Sequence, residues 1–360
     1  MRKTEIGVLV CGVLLATAVG AAAQEPSALD EEIVFTNGEV KLAGTLTRPA
    51  GRGPFPAVVL LSGSGPQNRD SEILGFRSFK LIADHLSRAG IAVLRYDDRG
   101  VGGSSGSIAQ STTQDFAGDA LAAVRFLAGR PEIAKSRVGL VGHSEGALTA
   151  AIAASQTREV AFIVWLAGSG VRGDEVLRQQ ARDLARAAGA DDETLERILA
   201  AHARLLELVR AEGNVEEMTA LTRTLVRAQL EALPEAQRKA IPNVEAAVEA
   251  MLPAQVAALR SRWFRSFIFF DPATALEKVS CPVQVIFGER DLQVPPALNR
   301  APVEAALARA GNRQVTVKVY PEANHLFQRA KTGHPSEYAT LPKDFVPGLL
   351  DDVAAWIAAR

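Results

Sequence analysis

The sequence predicts an α/β protein built on a mostly parallel, doubly wound sheet. Short, continuously apolar runs alternate with helical patterns along most of the chain, which is typical of a parallel sheet buried on both faces. The turn signal Asn37-Gly38 joins two strand-like runs and indicates an antiparallel hairpin at the start. A long helical stretch, from about Val171 to Phe270, interrupts the alternation.

The predicted strands and helices follow one another in pairs. The hairpin strands contain Ile33–Phe35 and Val40–Thr47. The pairs before the helical stretch are Ala57–Leu61 with Phe79–Leu86, Ile91–Leu94 with Phe116–Leu127, and Val138–Val141 with Ala147–Ala154. A further strand is predicted at Ala161–Leu166, and the pattern resumes with a strand at Val283–Phe287, a helix at Val303–Ala310, a strand at Val315–Tyr320 and a final helix at Val346–Ile357.

These patterns predict a helical insertion between the sixth and seventh strands. Asp191-Asp192 can cap one of its helices, and further helices are expected after Asn214 and Asn243. The apolar face of the first of these helices comprises Leu195, Ile198, Leu199, Leu206 and Val209. The predicted organisation is a signal peptide at 1–23, a core at 24–170, a helical cap at 171–270 and the rest of the core at 271–360.

The composition bounds the class of protein. Of 360 residues, 48% are apolar and 22% are charged, which excludes a disordered chain. Lys and Arg number 40 against 41 Asp and Glu, and no basic run gives the charge pattern of a nucleic-acid-binding protein. A small-molecule partner is therefore expected, and the oligomeric state is left open.

The first residues resemble an export signal. A short basic start, Met1-Arg2-Lys3, precedes an apolar run from Ile6, which ends in small residues at Ala21–Ala23. Cleavage after Ala23 would give a periplasmic or secreted protein. The alternative is an uncleaved membrane anchor, because Ile6–Ala23 is close to the shortest length that spans a bilayer. After cleavage Cys281 is the remaining cysteine, so no intramolecular disulfide is expected.

A nucleophile is predicted at Ser144. The sequence Gly142-His143-Ser144-Glu145-Gly146 directly follows an apolar strand and directly precedes a helical pattern. In that context a G-x-S-x-G motif forms a strained turn that presents the serine hydroxyl at the edge of the sheet.

A serine nucleophile needs a positioned base, and that base needs a carboxylate to orient it. Asp291 and His325 each follow a predicted strand, in the chain order Ser, Asp, His that this arrangement requires. Because ligands bind at the carboxyl ends of parallel strands, the three side chains can converge there. Glu289 is the rival acid. The rival histidines are His85, His143, His202 and His334.

Donors for an oxyanion are predicted at two backbone N–H groups. One belongs to Glu145, the residue after the nucleophile, and the other to Ser64 in the glycine-rich loop Ser62–Pro66. The competing interpretation of that loop is a flexible glycine turn. Asp98, which also follows a strand, is interpreted as part of a turn that shapes the loop.

At these motifs the chain resembles the α/β-hydrolase superfamily. Within it, Ser62–Asp70 is similar to the Ser-Gly-Ser-Gly-Pro-Gln-Asp-Arg-Asp signature of a group of bacterial secreted esterases. The stretches Trp165–Gly170, Leu292–Pro296 and Ala330–Gly333 are similar to that group as well. Asn68 stands where the signature has Asp, which leaves the rigidity of the loop open.

The resemblance implies the α/β-hydrolase fold with a helical cap. It also implies a serine carboxylesterase acting on short-to-medium acyl esters, with Ser144, Asp291 and His325 as the triad and Ser64 in the oxyanion loop. No metal or organic cofactor is expected. The same groups can cleave amides or thioesters, so a serine peptidase, amidase or thioesterase stays an alternative. A non-catalytic binding protein and a membrane-tethered module are the remaining hypotheses.

Overall fold

A sheet of eight strands forms the centre of the computed structural model, which describes residues 28–360. The strands are β1 Leu29–Asn37, β2 Val40–Arg48, β3 Phe55–Leu61, β4 Ala92–Tyr96, β5 Ile133–His143, β6 Ile163–Leu166, β7 Val283–Gly288 and β8 Val315–Tyr320. Their order across the sheet is β1-β2-β4-β3-β5-β6-β7-β8. β2 is antiparallel to both of its neighbours, and all other pairs are parallel. The predicted antiparallel hairpin and mostly parallel sheet are confirmed.

Helices cover both faces of this sheet. All the α-helices of residues 28–360, in chain order, are α1 Ser78–Arg88, α2 Thr113–Ala128, α3 Glu145–Gln156, α4 Gly173–Ala187, α5 Asp192–Ala211, α6 Val215–Glu231, α7 Glu235–Lys239, α8 Val244–Leu259, α9 Arg262–Ile268, α10 Ala273–Leu276, α11 Pro296–Arg309 and α12 Leu349–Ala358. α1 and α12 pack on one face, and α2, α3, α10 and α11 pack on the other. The apolar strands are buried between these two layers, as a doubly wound sheet requires.

The helices α4–α10 lie between the sixth and seventh strands of the sheet. Three of them begin at the residues that the sequence indicates, because the side chains of Asp191, Asn214 and Asn243 accept hydrogen bonds from backbone N–H groups three residues on. These helices also bury apolar groups among themselves. One such cluster contains Leu205, Leu208, Val209 and Met218, and another contains Val226, Val248 and Leu252.

Two elements begin five or more residues earlier than their patterns predict. β5 starts at Ile133, because the polar stretch 135–137 remains extended at the end of the strand where it meets solvent. α11 starts at Pro296 and contains Pro302, and these two prolines obscure its helical pattern. Pro296 is tolerated because the first turn of a helix does not need its N–H group.

The predicted signal peptide, residues 1–23, lies outside the described residues, and its cleavage after Ala23 stays a prediction. No helix within residues 28–360 is long and apolar enough to cross a bilayer. Cys281 lies just before β7, and burial raises the pKa of its thiol to about 11.

Candidate active site

Ser144 occupies a sharp turn between β5 and α3. Its backbone has φ 56° and ψ −118°, a conformation that is strained for a residue with a side chain. The Ser144 N–H group donates to the carbonyl oxygen of Leu166 at 2.8 Å, which ties the turn to the end of β6. The turn places Ser144 beyond the end of the strand and at the amino terminus of α3.

The two glycines of the motif are required by close backbone contacts. A Cβ atom on Gly142 would lie 2.2 Å from the carbonyl oxygen of Gly146. A Cβ atom on Gly146 would lie 2.1 Å from the carbonyl oxygen of Leu61 at the end of β3. Because real Cβ atoms do not approach backbone this closely, only glycine lets the strand, the turn and α3 pack together here.

A buried aspartate and histidine are paired beside this turn. The Nδ1 atom of His325 lies 2.7 Å from Oδ2 of Asp291. The other carboxylate oxygen, Oδ1, accepts the backbone N–H groups of Gln293 and Val294, both at 2.8 Å. Asp291 is 1% exposed and His325 is 6% exposed. The carboxylate is thus held by two backbone donors and faces one nitrogen of the imidazole ring.

The chain after β8 forms a tight turn that presents His325. Oδ1 of the buried Asn324 accepts the N–H groups of Leu326 at 3.0 Å and Gln328 at 2.9 Å. From the other side, Nε2 of His143 donates to the carbonyl oxygen of His325 at 2.8 Å. Their ring centroids are 4.8 Å apart. Burial lowers the pKa of His143 to about 4, so its ring is neutral at physiological pH.

The glycine-rich loop after β3 carries Ser64 to the same edge of the sheet. Asp98 holds this loop at both ends, because its carboxylate accepts the Ser62 hydroxyl at 2.6 Å and the N–H group of Gln67 at 2.8 Å. The side chain of Asn68 accepts the N–H group of Asp70 at 3.0 Å and closes the following turn. An amide oxygen performs that local role as a carboxylate would.

Burial raises the pKa of Asp98 from its ordinary value of 3.8 to about 7. Between these values the folded protein retains a proton that the unfolded chain releases, so this group makes the protein less stable as pH rises from about 4 to 7. Asp98→Asn is expected to remove that dependence, by at most about 1.4 kcal/mol per pH unit. The measurement is the free energy of unfolding in urea at several pH values.

A matched variant separates this effect from the loss of any carboxyl group. Glu39→Gln removes an exposed carboxyl group in the turn between β1 and β2 and is expected to leave the pH dependence unchanged. Equal pH slopes for the wild type and Asp98→Asn would contradict the prediction.

The side chain of Glu145 also lies at the site and is buried. Its carboxyl oxygens lie 3.0 and 3.1 Å from Nε1 of Trp263, which donates from α9. The Thr113 hydroxyl at the start of α2 donates to it at 3.3 Å, and Ser64 lines the same cavity. The pKa of Glu145 is raised to about 8, mainly by burial and in part by the nearby Asp98, whereas the hydrogen bonds from Trp263 and Thr113 lower it.

A cavity of about 220 Å³ lies between this edge of the sheet and the helices α4 and α9. Ser64, Ser144, Glu145 and His325 all line it. Its walls are mostly apolar, and include Val176, Leu177, Trp263, Phe264, Phe267, Ile268 and Val294. The rings of Trp263 and Phe267 are parallel within 3°, with centroids 6.3 Å apart. Asp291 lies behind His325, outside the lining of the cavity.

The rival residues lie elsewhere or have other partners. Glu289 is exposed and accepts the N–H group of Glu322. His85 faces Asp351 at 3.1 Å, His202 lies in α5, and His334 caps a short 3-10 helix at Pro335–Glu337. The contacts of Glu145 with Trp263 and of His143 with His325 had no signal in the sequence, because the partners are 118 and 182 positions apart. Within residues 28–360 no group of three or more His, Cys, Asp or Glu side chains could hold a metal ion.

Comparison with known proteins identifies the family. A family model described as serine aminopeptidase, S33, matches residues 76–329, which is more than half of the chain. The chain belongs to this family. It is therefore a serine hydrolase of the α/β-hydrolase superfamily. Esterase EstD of Thermotoga maritima is 30% identical to it over 335 residues, which cover 92% of this chain and 68% of that protein.

Solved structures show the same fold for this hydrolase. The proline iminopeptidase of Mycobacterium smegmatis gives a TM-score of 0.55 at 17% identity, over 91% of this chain and 98% of that one. The esterase Pf2001 of Pyrococcus furiosus gives a TM-score of 0.52 at 18% identity, over 93% of both chains. The predicted α/β-hydrolase fold is confirmed.

Proposed function

We propose that this hydrolase is a carboxylesterase that cleaves small esters with short-to-medium acyl chains through Ser144, His325 and Asp291. The observation that carries the proposal is the buried Asp291–His325 pair, at 2.7 Å, beside a strained serine turn at one end of an apolar cavity. The likeness to esterase EstD supports an ester as the substrate.

In the proposed mechanism, Nε2 of His325 takes the hydroxyl proton of Ser144 as Oγ attacks the ester carbonyl carbon. The carbonyl oxygen becomes an oxyanion that accepts the backbone N–H groups of Glu145 and Ser64. The carbon–oxygen bond of the ester then breaks, and the imidazolium returns the proton to the leaving alcohol. Asp291 keeps Nδ1 protonated and stabilises the imidazolium.

The second half of the reaction uses the same groups. A water molecule gives a proton to His325 and attacks the acyl carbon on Ser144, which forms a second oxyanion in the same position. Its collapse releases the carboxylic acid, and the proton on His325 returns to Oγ of Ser144. The enzyme is restored, and one water molecule has been consumed for each ester.

The helical insertion acts as a cap in this proposal. Val176 and Leu177 of α4, together with Trp263 and Phe267 of α9, supply the apolar wall of the cavity. Pockets for drug-sized ligands enclose roughly 300–1,000 Å³, whereas an apolar cavity of roughly 150 Å³ holds benzene. At about 220 Å³, the cavity fits a short-to-medium acyl chain or a single aromatic ring.

An aminopeptidase on the same scaffold is the second candidate, because the matching family model carries that description. An aminopeptidase needs a carboxylate for the ammonium group of its substrate. Among the described residues that line the cavity, Glu145 is the one acidic side chain. Trp263 and Thr113 already occupy its carboxyl oxygens, and burial raises its pKa to about 8. This arrangement favours an uncharged ester substrate.

The acyl-chain preference tests the proposal. With p-nitrophenyl esters of increasing acyl length, kcat/KM is expected to peak at short or medium chains and to fall for long ones, because a cavity of about 220 Å³ cannot enclose a long chain. The measurement is the initial rate of hydrolysis at equal concentrations of esters whose acyl chains have about two to sixteen carbons. The longest of these chains are too large for the cavity. Aminoacyl p-nitroanilides, measured in parallel, test the aminopeptidase.

Two results would contradict the carboxylesterase. One is release of p-nitroaniline faster than hydrolysis of every ester, which would favour the aminopeptidase. The other is the absence of turnover on all esters by a protein that still folds, which would favour the amidase, thioesterase or binding-protein hypotheses.

A further inference from the structure

The buried carboxyl group of Glu145 joins three separate parts of the fold. Trp263 of α9 donates its indole N–H to it, and Thr113 donates its hydroxyl from the start of α2. The backbone of Glu145 belongs to the turn next to Ser144. One residue therefore connects the helical insertion, the start of α2 and the serine turn.

We propose that Glu145 is a positioning residue, which acts as a clamp and holds α9 and the start of α2 against the serine turn. Two further hydrogen bonds bring α9 to the same place. The Arg262 N–H group donates to the carbonyl oxygen of Ala109, and the Ser266 hydroxyl accepts the N–H group of Thr113 at 3.2 Å. Glu145 adds the contact that orients the ring of Trp263, which is part of the cavity wall.

A neutral carboxyl group suits this position. The carbonyl oxygen of a neutral carboxyl group can accept both the Trp263 indole N–H and the Thr113 hydroxyl, which both reach Oε1. A carboxylate here would place a negative charge beside the developing oxyanion and oppose the reaction. The raised pKa of about 8 is consistent with a neutral group at pH 7.

The charged and titratable groups around Glu145 favour its neutral form. Asp98 and Arg99 follow β4, Tyr96 ends β4 and Asp119 belongs to α2, and all four share a small cavity with it. Arg99 is paired with Asp119 at 2.7 Å, which leaves the charge of Asp98 facing Glu145. On α9, Arg265 is paired with Glu212 and Arg262 is exposed, and His325 lies across the substrate cavity.

The first test uses the fluorescence of Trp263 and needs no substrate. In the wild type the tryptophan emission is expected to change with pH, with a midpoint near pH 8, as Glu145 ionises. Glu145→Gln and Trp263→Phe should both abolish that change. Trp356→Phe, which removes a tryptophan in α12, is the matched control and should retain it. An emission change that survives Glu145→Gln would overturn the proposal.

The second test measures ester hydrolysis and rests on the proposed function. Glu145→Gln keeps the size and the neutral donors and acceptors but cannot ionise, so the decline of kcat/KM above pH 8 that is expected of the wild type should disappear. Glu145→Leu leaves the indole N–H without a partner, and Trp263→Phe removes it. Each is expected to raise KM about tenfold, with a smaller change in kcat.

The double variant decides whether the two residues act together. If Glu145 acts through Trp263, Glu145→Leu with Trp263→Phe should raise KM no more than either change alone. If the increases in KM of the two single variants multiply in the double variant, the two residues act independently and the proposed clamp is wrong. If Glu145→Leu does not fold, the Glu145→Gln pH profile and the fluorescence titration still decide. Absence of ester turnover with an intact titration would reject the carboxylesterase and leave the clamp in place.

Discussion

Ser144→Ala is expected to lower kcat by about three to six orders of magnitude, with little change in stability. Alanine fills the same turn but supplies no oxygen to attack the ester. The strain of the backbone at φ 56° is common to both residues, so the turn should be retained. The measurement is kcat on the best p-nitrophenyl ester, together with thermal unfolding followed by circular dichroism.

Ser155→Ala is the matched control for this change. Ser155 lies on the same helix, α3, and its hydroxyl bonds the carbonyl oxygen of Ile152 at 2.7 Å, away from the cavity. It is expected to keep the wild-type rate. His325→Ala is expected to lower kcat as much as Ser144→Ala does, because the nucleophile and the base act as a unit. Normal turnover by a folded Ser144→Ala protein would refute the proposed nucleophile.

Asp291→Asn is expected to lower kcat by about 10⁴-fold without unfolding the protein. The asparagine oxygen can still accept the two backbone N–H groups that hold the carboxylate at 2.8 Å. Its amide nitrogen then faces Nδ1 of His325, which must become an acceptor. The ring proton moves to Nε2, the atom that has to take the proton of Ser144. The measurement is kcat between about pH 6 and pH 10, which shows whether the loss of activity persists across the pH dependence of the reaction.

Glu289→Gln gives the matched comparison for the acid. Glu289 is the rival that the sequence offered, but its carboxylate is exposed and accepts the N–H group of Glu322. Its replacement is expected to change kcat less than about threefold, as for a surface group away from the reaction. If Glu289→Gln lost activity and Asp291→Asn retained it, the assignment of the acid would be wrong.

Much of the fold could be predicted because its signals are local. Strands buried on both faces are continuously apolar, and the runs 57–61, 138–141 and 283–287 each lie inside an observed strand. Helix starts were visible where a side chain caps its own backbone, as at Asp191 and Asn214. Prolines in α11 and charged residues at the start of β5 interrupt the apolar pattern. The first residues of these two elements were therefore not predicted.

The candidate site residues could also be predicted from the sequence, because of the topology of the sheet. The carboxyl ends of parallel strands meet at one edge of a sheet, so residues that follow β3, β5, β7 and β8 become neighbours. The structure accordingly brings Ser64, Ser144 and His325 to one cavity, with Asp291 behind it. Their catalytic roles stay predictions, which the variants above test.

By itself the sequence determined the strand-and-helix order, the glycines of the serine turn and the residues that end each parallel strand, because each depends on neighbours along the chain. Only the tertiary structure decided that Trp263 reaches Glu145, that His143 supports His325 and that Asp98 holds the Ser64 loop. These contacts join residues 36 to 182 positions apart. Their partners are selected by how helices pack on the sheet, and no local pattern of residues specifies that packing.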